Sequence, residues 1–151
     1  MTELRPYMRE DEVRAFLVAL RSLMPAEVIE FGCGGSTIRF SREPYIRKWI
    51  GIEHNKRWLE KIKPLVGDNV ELRLVTQDAY LDVADCCDLV FIDGIKRNAV
   101  LTLALKLLKP GGRVILHDAG RDYDLSGFKS RCWIAGPDKA RNHQGLMVLR
   151  P

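Results

Sequence analysis

No apolar run in the sequence approaches the roughly 20 residues that a membrane-spanning helix needs. The first residues, Met1-Thr2-Glu3-Leu4-Arg5-Pro6, hold no apolar stretch of the kind a secretory signal carries. The two absences together lead to the expectation of a cytoplasmic protein with no membrane partner. Cysteine is scarce: Cys33, Cys86, Cys87 and Cys132 are the only four, and none form a C-x-x-C pair. The three histidines include no pair at metal-ligand spacing. This pattern argues against a structural zinc site and against a disulfide framework, and it leaves the thiols reduced, in or near the core. There is no internal repeat, no low-complexity tract and no run of like charge.

What is present is ordinary for a globular domain: 151 residues, 46% hydrophobic and 29% charged. That length suits one domain with a real core, spanning 1–151. The net charge of +4 comes from Lys and Arg scattered along the chain. A mild basic excess can draw in nucleic acid, a nucleotide or an acidic metabolite, and it equally describes a solvated surface.

Residues 1–24 read as an N-terminal helical segment. From Glu10 to Met24, residues Val13, Phe16, Leu17, Leu20 and Met24 fall on one helical face, and Pro25 ends the run. Glu27 to Phe31 reads as a buried strand that stops at Gly32-Cys33-Gly34-Gly35, with Ser36 or Thr37 able to cap a following helix. Lys48 to Glu53 is a second strand. Asn55 then caps a helix carrying Trp58, Leu59 and Ile62, closed by Pro64 and Gly67. Strands follow at Val70 to Val75 and Asp88 to Asp93, separated by a poorly patterned stretch from Gln77 to Ala84. Val100, Leu103, Ala104, Leu107 and Leu108 form the clearest helical stripe, stopped by Lys109-Pro110-Gly111-Gly112 before a strand from Arg113 to His117. The tail, 131–150, reads as two strands, Cys132 to Ala135 and Leu146 to Leu149, joined by a polar loop.

Strands and helices therefore alternate, and the early strands are continuously apolar. That is the mark of an α/β, doubly wound, mostly parallel sheet with helices on both faces. Right-handed crossovers place the loops after the strands on one edge, where such sheets bind ligands. The residues just after each strand are thus the candidates for chemistry.

After the first strand stands Glu30-Phe31-Gly32-Cys33-Gly34-Gly35-Ser36-Thr37. Glycines let the backbone turn sharply and approach a ligand closely. A dinucleotide site wants G-x-G-x-x-G, and here the third glycine position is Thr37. The pattern E-x-G-x-G-G-S-T instead resembles the first motif of class I S-adenosylmethionine-dependent methyltransferases. The resemblance implies that Glu30 serves the ammonium of the cofactor's amino-acid end, often through water. It also implies that Gly32 and Gly34 allow close approach and that Ser36 belongs to the same cofactor-binding loop. Glu53, about 20 residues beyond the loop, can accept both ribose hydroxyls, a device shared with NAD-binding proteins. His54 beside it is a candidate for the adenine's surroundings. Gln77-Asp78-Ala79 is similar to the family's G-D-A segment, with Gln77 in place of the usual glycine, so Asp78 is expected to meet the adenine amino group; a plain helix cap is the other reading.

After the fourth strand, Asp93-Gly94 lacks the Asn/Asp-Pro-Pro-aromatic motif of enzymes that methylate amino groups of bases or glutamine. The segments ending at Asp93, at Gly112 and at Asp118 look like small-molecule O-methyltransferases. In the metal-dependent, catechol-type members the resemblance puts metal-binding carboxylates at Asp93 and Asp118 and a catalytic lysine at Lys96. The third ligand, an Asn, is replaced by Ala119. A metal site is accordingly not expected, though Mg²⁺ could bind through two carboxylates, substrate and water. Asp93 is otherwise a cofactor-site residue. His117 is the alternative base, with an unperturbed pKa suited to proton removal near neutrality.

The resemblance covers about 28–118, the cofactor-binding core. It implies a seven-stranded sheet whose last two strands are antiparallel, S-adenosylmethionine as cofactor, and a small-molecule hydroxyl as methyl acceptor. RNA or protein as acceptor, with a nucleic-acid partner, and a non-catalytic binding domain are the alternatives. The short segment from Ala119 to Ser130 leaves the pocket to be completed by Tyr7-Met8 or by a second subunit in a homodimer.

Overall fold

The computed structural model describes residues 4–151. Met1 to Glu3, which begin the helical segment expected over 1–24, lie outside the described residues. Residues 4–9 are not helical. Helix α1 spans Glu10–Leu23. Glu10, Asp11 and Glu12 crowd its first turn, where carboxylates complement the helix dipole. The Glu12 carboxylate accepts the Arg9 backbone N–H at 2.8 Å, which satisfies a donor at the helix entrance. Met24 closes the helix in the left-handed region (φ +48°), its N–H donating to Leu20 O at 2.7 Å. The buried face differs from the expected stripe: Glu12, Phe16, Ala19 and Leu20 are buried, whereas Met24 is exposed because the chain has already turned.

The strands are β1 (Glu27–Phe31), β2 (Lys48–Glu53), β3 (Val70–Leu74), β4 (Cys87–Ile92), β5 (Leu108–His117), β6 (Ser130–Ala135) and β7 (Leu146–Arg150). They form one sheet in the order β3-β2-β1-β4-β5-β7-β6. Pairing is parallel from β3 through to β5, and β7 runs antiparallel to both β5 and β6. The sheet is the doubly wound one expected, with its antiparallel pair at the C-terminal end. Between these strands lie α2 (Gly35–Phe40), α3 (Lys56–Ile62) and α4 (Arg97–Leu107).

Each face of the sheet has its own apolar layer. On one, Phe16 of α1 stacks on Phe40 of α2 at 4.1 Å and meets Phe91 of β4 edge-on at 4.7 Å, with Trp49 and Ile115 in the same cluster. On the other, Val100, Leu101, Ala104 and Leu107 of α4 pack against Val90, Ile92, Val114 and Leu116. Leu125 and Phe128, from the chain between β5 and β6, extend this second layer where no helix is present. Burying side chains of this size is worth about 1.5–3 kcal/mol each, so both layers hold the sheet firmly.

Three local expectations are corrected. Gly34, not Ser36 or Thr37, is the N-cap of α2; Thr37 instead accepts the Gly34 N–H at 2.9 Å from inside the helix. Strand β5 begins at Leu108: Cys87 pairs with Leu108 and Leu89 with Arg113, so Lys109-Pro110-Gly111-Gly112 is a bulge within the strand's start. Of the four thiols, Cys33 and Cys87 are buried, while Cys86 and Cys132 are exposed. No helix among the described residues is long and apolar enough to cross a membrane.

Candidate functional site

Register decides which residues meet. Phe31 pairs with Ile52 on one side and Ile92 on the other, and Ile92 pairs with Leu116. The next residues, Gly32, Glu53, Asp93 and His117, therefore come level along one edge. The edge lies where β1 has β2 on one side and β4 on the other, the switch point at which open α/β sheets bind ligands.

Gly32 sits at φ +95°, its N–H donating to Ile52 O at 2.9 Å. A Cβ there would lie 2.5 Å from Gly94 Cα, so glycine is needed for both conformation and space. Gly34 is extended, and a Cβ on it would make only an ordinary contact with Trp58 at 3.6 Å. At Gly35 the close approach is to the chain's own Arg5-Pro6, whose backbone carbonyl would lie 2.1 Å from a Cβ. Trp58 donates from Nε1 to Cys33 O at 2.6 Å and covers the loop from α3. Gly32 is the half-exposed member of the glycine loop, and the residues from Cys33 to Thr37 are buried.

Glu30 and Ser36 are turned into the protein. The Glu30 carboxylate accepts from Ser36 Oγ, from Thr37 Oγ1 at 2.5 Å and from Trp49 Nε1 at 2.8 Å. Burial pushes its carboxyl up to about 8 despite those three donors. Glu53 is 5% exposed, and its Oε1 accepts the backbone N–H groups of His54 and Asn55, each at 2.8 Å. No hydrogen bond among the described residues engages Oε2. His54 is half-buried, with Nδ1 3.1 Å from Glu53 Oε1 and its ring 6.0 Å edge-on to Tyr80. Asp78 is exposed at the start of a 3-10 turn, Asp78–Leu81. The hydroxyl of Thr76 caps that turn, accepting the Ala79 N–H at 3.2 Å.

Asp93 lies half-buried at the other end of the edge. Its Oδ1 bonds His117 Nδ1 at 2.7 Å. His117 is buried, and its Nε2 faces the buried Glu12 of α1, 3.9 Å from Oε2. Burial pulls the imidazole pKa down, but the hydrogen bond and charge of Asp93, with Asp118 and Glu12, outweigh it and hold the pKa above its ordinary value. Lys96, in the left-handed region at the N-cap of α4, is exposed and donates from Nζ to Gln77 O.

Arg97 carried no sequence signal beyond its type, yet it ties this end together. It donates to His117 O at 2.6 Å, Gly94 O at 2.9 Å and Asp93 O at 3.1 Å. Its guanidinium also lies 3.4 Å from Asp93 Oδ1 and 3.3 Å from Asp118 Oδ2. The two carboxylates that catechol-type enzymes give to a metal are here joined by a cation of the chain itself. No group of three or more His, Cys, Asp or Glu placed to hold a metal occurs among the described residues. Beside Asp93 opens a cleft of about 690 Å³, lined by Gly94, Lys96, Arg97, Arg121 and Tyr123 among others.

No family model matches the chain, and no curated protein matches it. Solved structures do. An O-methyltransferase from Bacillus cereus, in complex with SAH, is 19% identical with a TM-score of 0.73, over 98% of this chain and 84% of that one. A candidate O-methyltransferase from Klebsiella pneumoniae is 18% identical with a TM-score of 0.72, over 97% and 83%. A precorrin 8W decarboxylase from Methanobacterium thermoautotrophicum is 20% identical with a TM-score of 0.64, over 96% and 91%. The chain has the Rossmann-like, seven-stranded fold of the methyltransferases.

Proposed function

We propose that the chain is an S-adenosylmethionine-dependent methyltransferase acting on a small-molecule hydroxyl. The observation that carries this reading is the level placement of Gly32, Glu53 and Asp93 at the switch point. Gly32, at φ +95° and without a Cβ, turns the loop tightly against Gly94 and leaves its own half-exposed backbone on the edge. Glu53, its Oε1 fixed by two backbone N–H groups, offers Oε2 to the ribose hydroxyls. Glu30, wholly inside, acts on the cofactor through the loop by fixing Ser36 and Thr37 at the start of α2. Asp78 and His54 flank the position of the base. These residues fit the cofactor, which when bound supplies an already activated methyl group.

The chain's task is then alignment. The cleft beside Asp93 gives an acceptor room next to the cofactor's end of the edge. His117, drawn toward imidazolium and turned inward to Glu12, serves as a positioning residue for Asp93. Lys96, exposed on the cleft's wall, is the cation left to meet an acceptor hydroxyl.

Calorimetric titration of S-adenosylmethionine and, separately, NAD tests the cofactor. We expect micromolar binding of the first and none of the second. Glu53→Gln should weaken binding about tenfold, since it keeps an oxygen for the two N–H groups and turns a donor toward the ribose. Absence of S-adenosylmethionine binding overturns the reading; binding directs the next step, an acceptor screen with labelled cofactor.

A further inference from the structure

The net charge of +4 is scattered in sequence but gathered in space. Two adjoining clefts open beside the start of α1. Arg9, Arg14, Lys139 and Arg141 line the first, of about 790 Å³, together with the carboxylates Glu10, Asp11 and Asp138 and with His143. The second, of about 470 Å³, shares Glu10 and Arg14 with the first and adds Arg5, Arg39 and Arg42. With His143 neutral, the two clefts hold seven cations against three carboxylates. That excess of four equals the charge of the whole chain, so the rest of the sequence is balanced.

Both clefts border the edge where the candidate site lies. Gly136, in the first, directly follows β6, which runs in the same direction as β5 because each is antiparallel to β7. Arg5-Pro6, in the second, lies against Gly35 at the start of α2. The clefts open on the face covered by α1 and α2, whereas the cleft beside Asp93 is walled by the start of α4. Neither contains a residue given to the cofactor or the acceptor above.

The cations are available. Lys139 has no partner among the described residues, and Arg42 is exposed and meets no carboxylate there, donating only to Leu65 O at 3.3 Å. Arg14 and Arg141 are exposed and pair with Glu10 at 3.2 Å and Asp138 at 3.7 Å. Exposed pairs of this kind hold weakly, so a guanidinium can exchange its carboxylate for a ligand anion. Six of the seven cations are arginines, whose planar fork matches phosphate oxygens. Two clefts sharing a wall suit a chain of phosphates better than a single one. Tyr7, between Pro6 and Met8 of the second cleft, is 93% exposed and its ring has no partner among the described residues. An open ring beside a basic track is a platform on which an unpaired base stacks. An acidic peptide would meet the guanidiniums but brings no base to the ring, and a flat lipid surface does not fill concave clefts.

We infer that the paired clefts beside α1 bind single-stranded nucleic acid, with its phosphates on the arginines and Lys139 and a base on Tyr7. The inference stands independently of the cofactor proposed above.

Fluorescence anisotropy with labelled single-stranded RNA and DNA of about 12 nucleotides tests it. The proteins compared are wild type, Arg42→Gln combined with Lys139→Gln, and Tyr7→Ala. Engagement of about four phosphates predicts that wild type loses about fifty-fold in affinity between about 50 and 200 mM salt. The double variant should bind at least about tenfold more weakly at about 50 mM salt, with a shallower salt dependence. Tyr7→Ala should bind about fivefold more weakly or worse, with the salt dependence of wild type. Both variants should keep the unfolding midpoint and the S-adenosylmethionine affinity of wild type, since the three side chains are exposed and lie away from the cofactor site. Absence of saturable binding to either strand overturns the inference, and so does unchanged affinity in either variant. Equally tight binding of polyglutamate, or of vesicles rich in phosphatidylserine, also overturns it by reducing the face to bare charge. Failure of wild type to bind S-adenosylmethionine is a separate result and removes only the cofactor reading.

Discussion

At the scale of single residues, the glycines of this chain are not equivalent. Gly32 combines φ +95° with a would-be Cβ 2.5 Å from Gly94 Cα. Gly136 has ordinary backbone and nothing within 4 Å of a would-be Cβ. Gly32→Ala should therefore lose at least about 2 kcal/mol, from strain plus a backbone clash that no side chain can relieve. Gly136→Ala should fall within about 0.5 kcal/mol of wild type or gain slightly, because alanine restricts the unfolded chain. Urea unfolding of the two variants measures the contrast. Equal midpoints would mean that the loop after β1 can relax away from β4, and that its tight seam with Gly94 is not enforced.

At the scale of elements, β1, β2 and β4 were legible because each is an apolar run buried between the two layers. β1 and β2 keep the bounds read from the sequence, and α4 buries most of its stripe. The order of candidate residues along the edge was legible for the same reason: each follows a strand. What escaped is contact across long sequence separation. Glu12 lies among acidic neighbours that look like a solvated first turn, yet it is buried, because α1 docks its start against the end of β5 and His117. Arg97 looks like any helix-start cation until β4 and β5 are side by side. Tyr80 falls in a stretch without periodicity, and its place appears only once Gly94 is beside Gly32. The docking of α1 can be tested through Glu12. Replacement by alanine removes the acceptor of the Arg9 N–H and the carboxylate facing His117 Nε2. A loss of about 1–3 kcal/mol is expected from the part-buried Arg9 N–H left without its acceptor. Nuclear magnetic resonance titration should also show the His117 pKa falling, since one of the carboxylates that raise it is gone. A stable variant with an unmoved His117 pKa would show that α1 is held by its apolar face alone.

For the whole molecule, the buried titrating groups set a pH dependence that surface charge does not. Glu30 titrates at about 8 in the folded chain against 4.5 when unfolded, so the folded state binds the extra proton between those values. Its contribution to stability is complete below pH 4.5 and is lost as pH rises toward 8. His117, also raised, contributes fully below its ordinary value of 6.5 and loses that contribution as pH climbs through its folded value. Asp85 and Glu71 act in the opposite sense. Hydrogen bonding to Arg73 leads in holding both carboxyls below their ordinary values of 3.8 and 4.5, and Lys48 adds to it at Glu71, so their contribution is lost as pH falls through the folded values. These opposing slopes place the stability maximum on the acid side of neutrality, with a decline toward pH 8. Glu30→Gln isolates the alkaline limb. Glutamine can keep an oxygen for Thr37 and Trp49 and turn its amide donor to Ser36, whose hydroxyl can rotate to accept. Thermal unfolding from pH 4 to pH 9 should show a flatter decline for the variant above pH 4.5, with the larger relative gain at pH 8 and above. An unchanged slope would mean that the Glu30 carboxyl titrates as though solvated. The closed packing of Glu30, Ser36, Thr37 and Trp49 beneath the glycine loop would then not hold in solution.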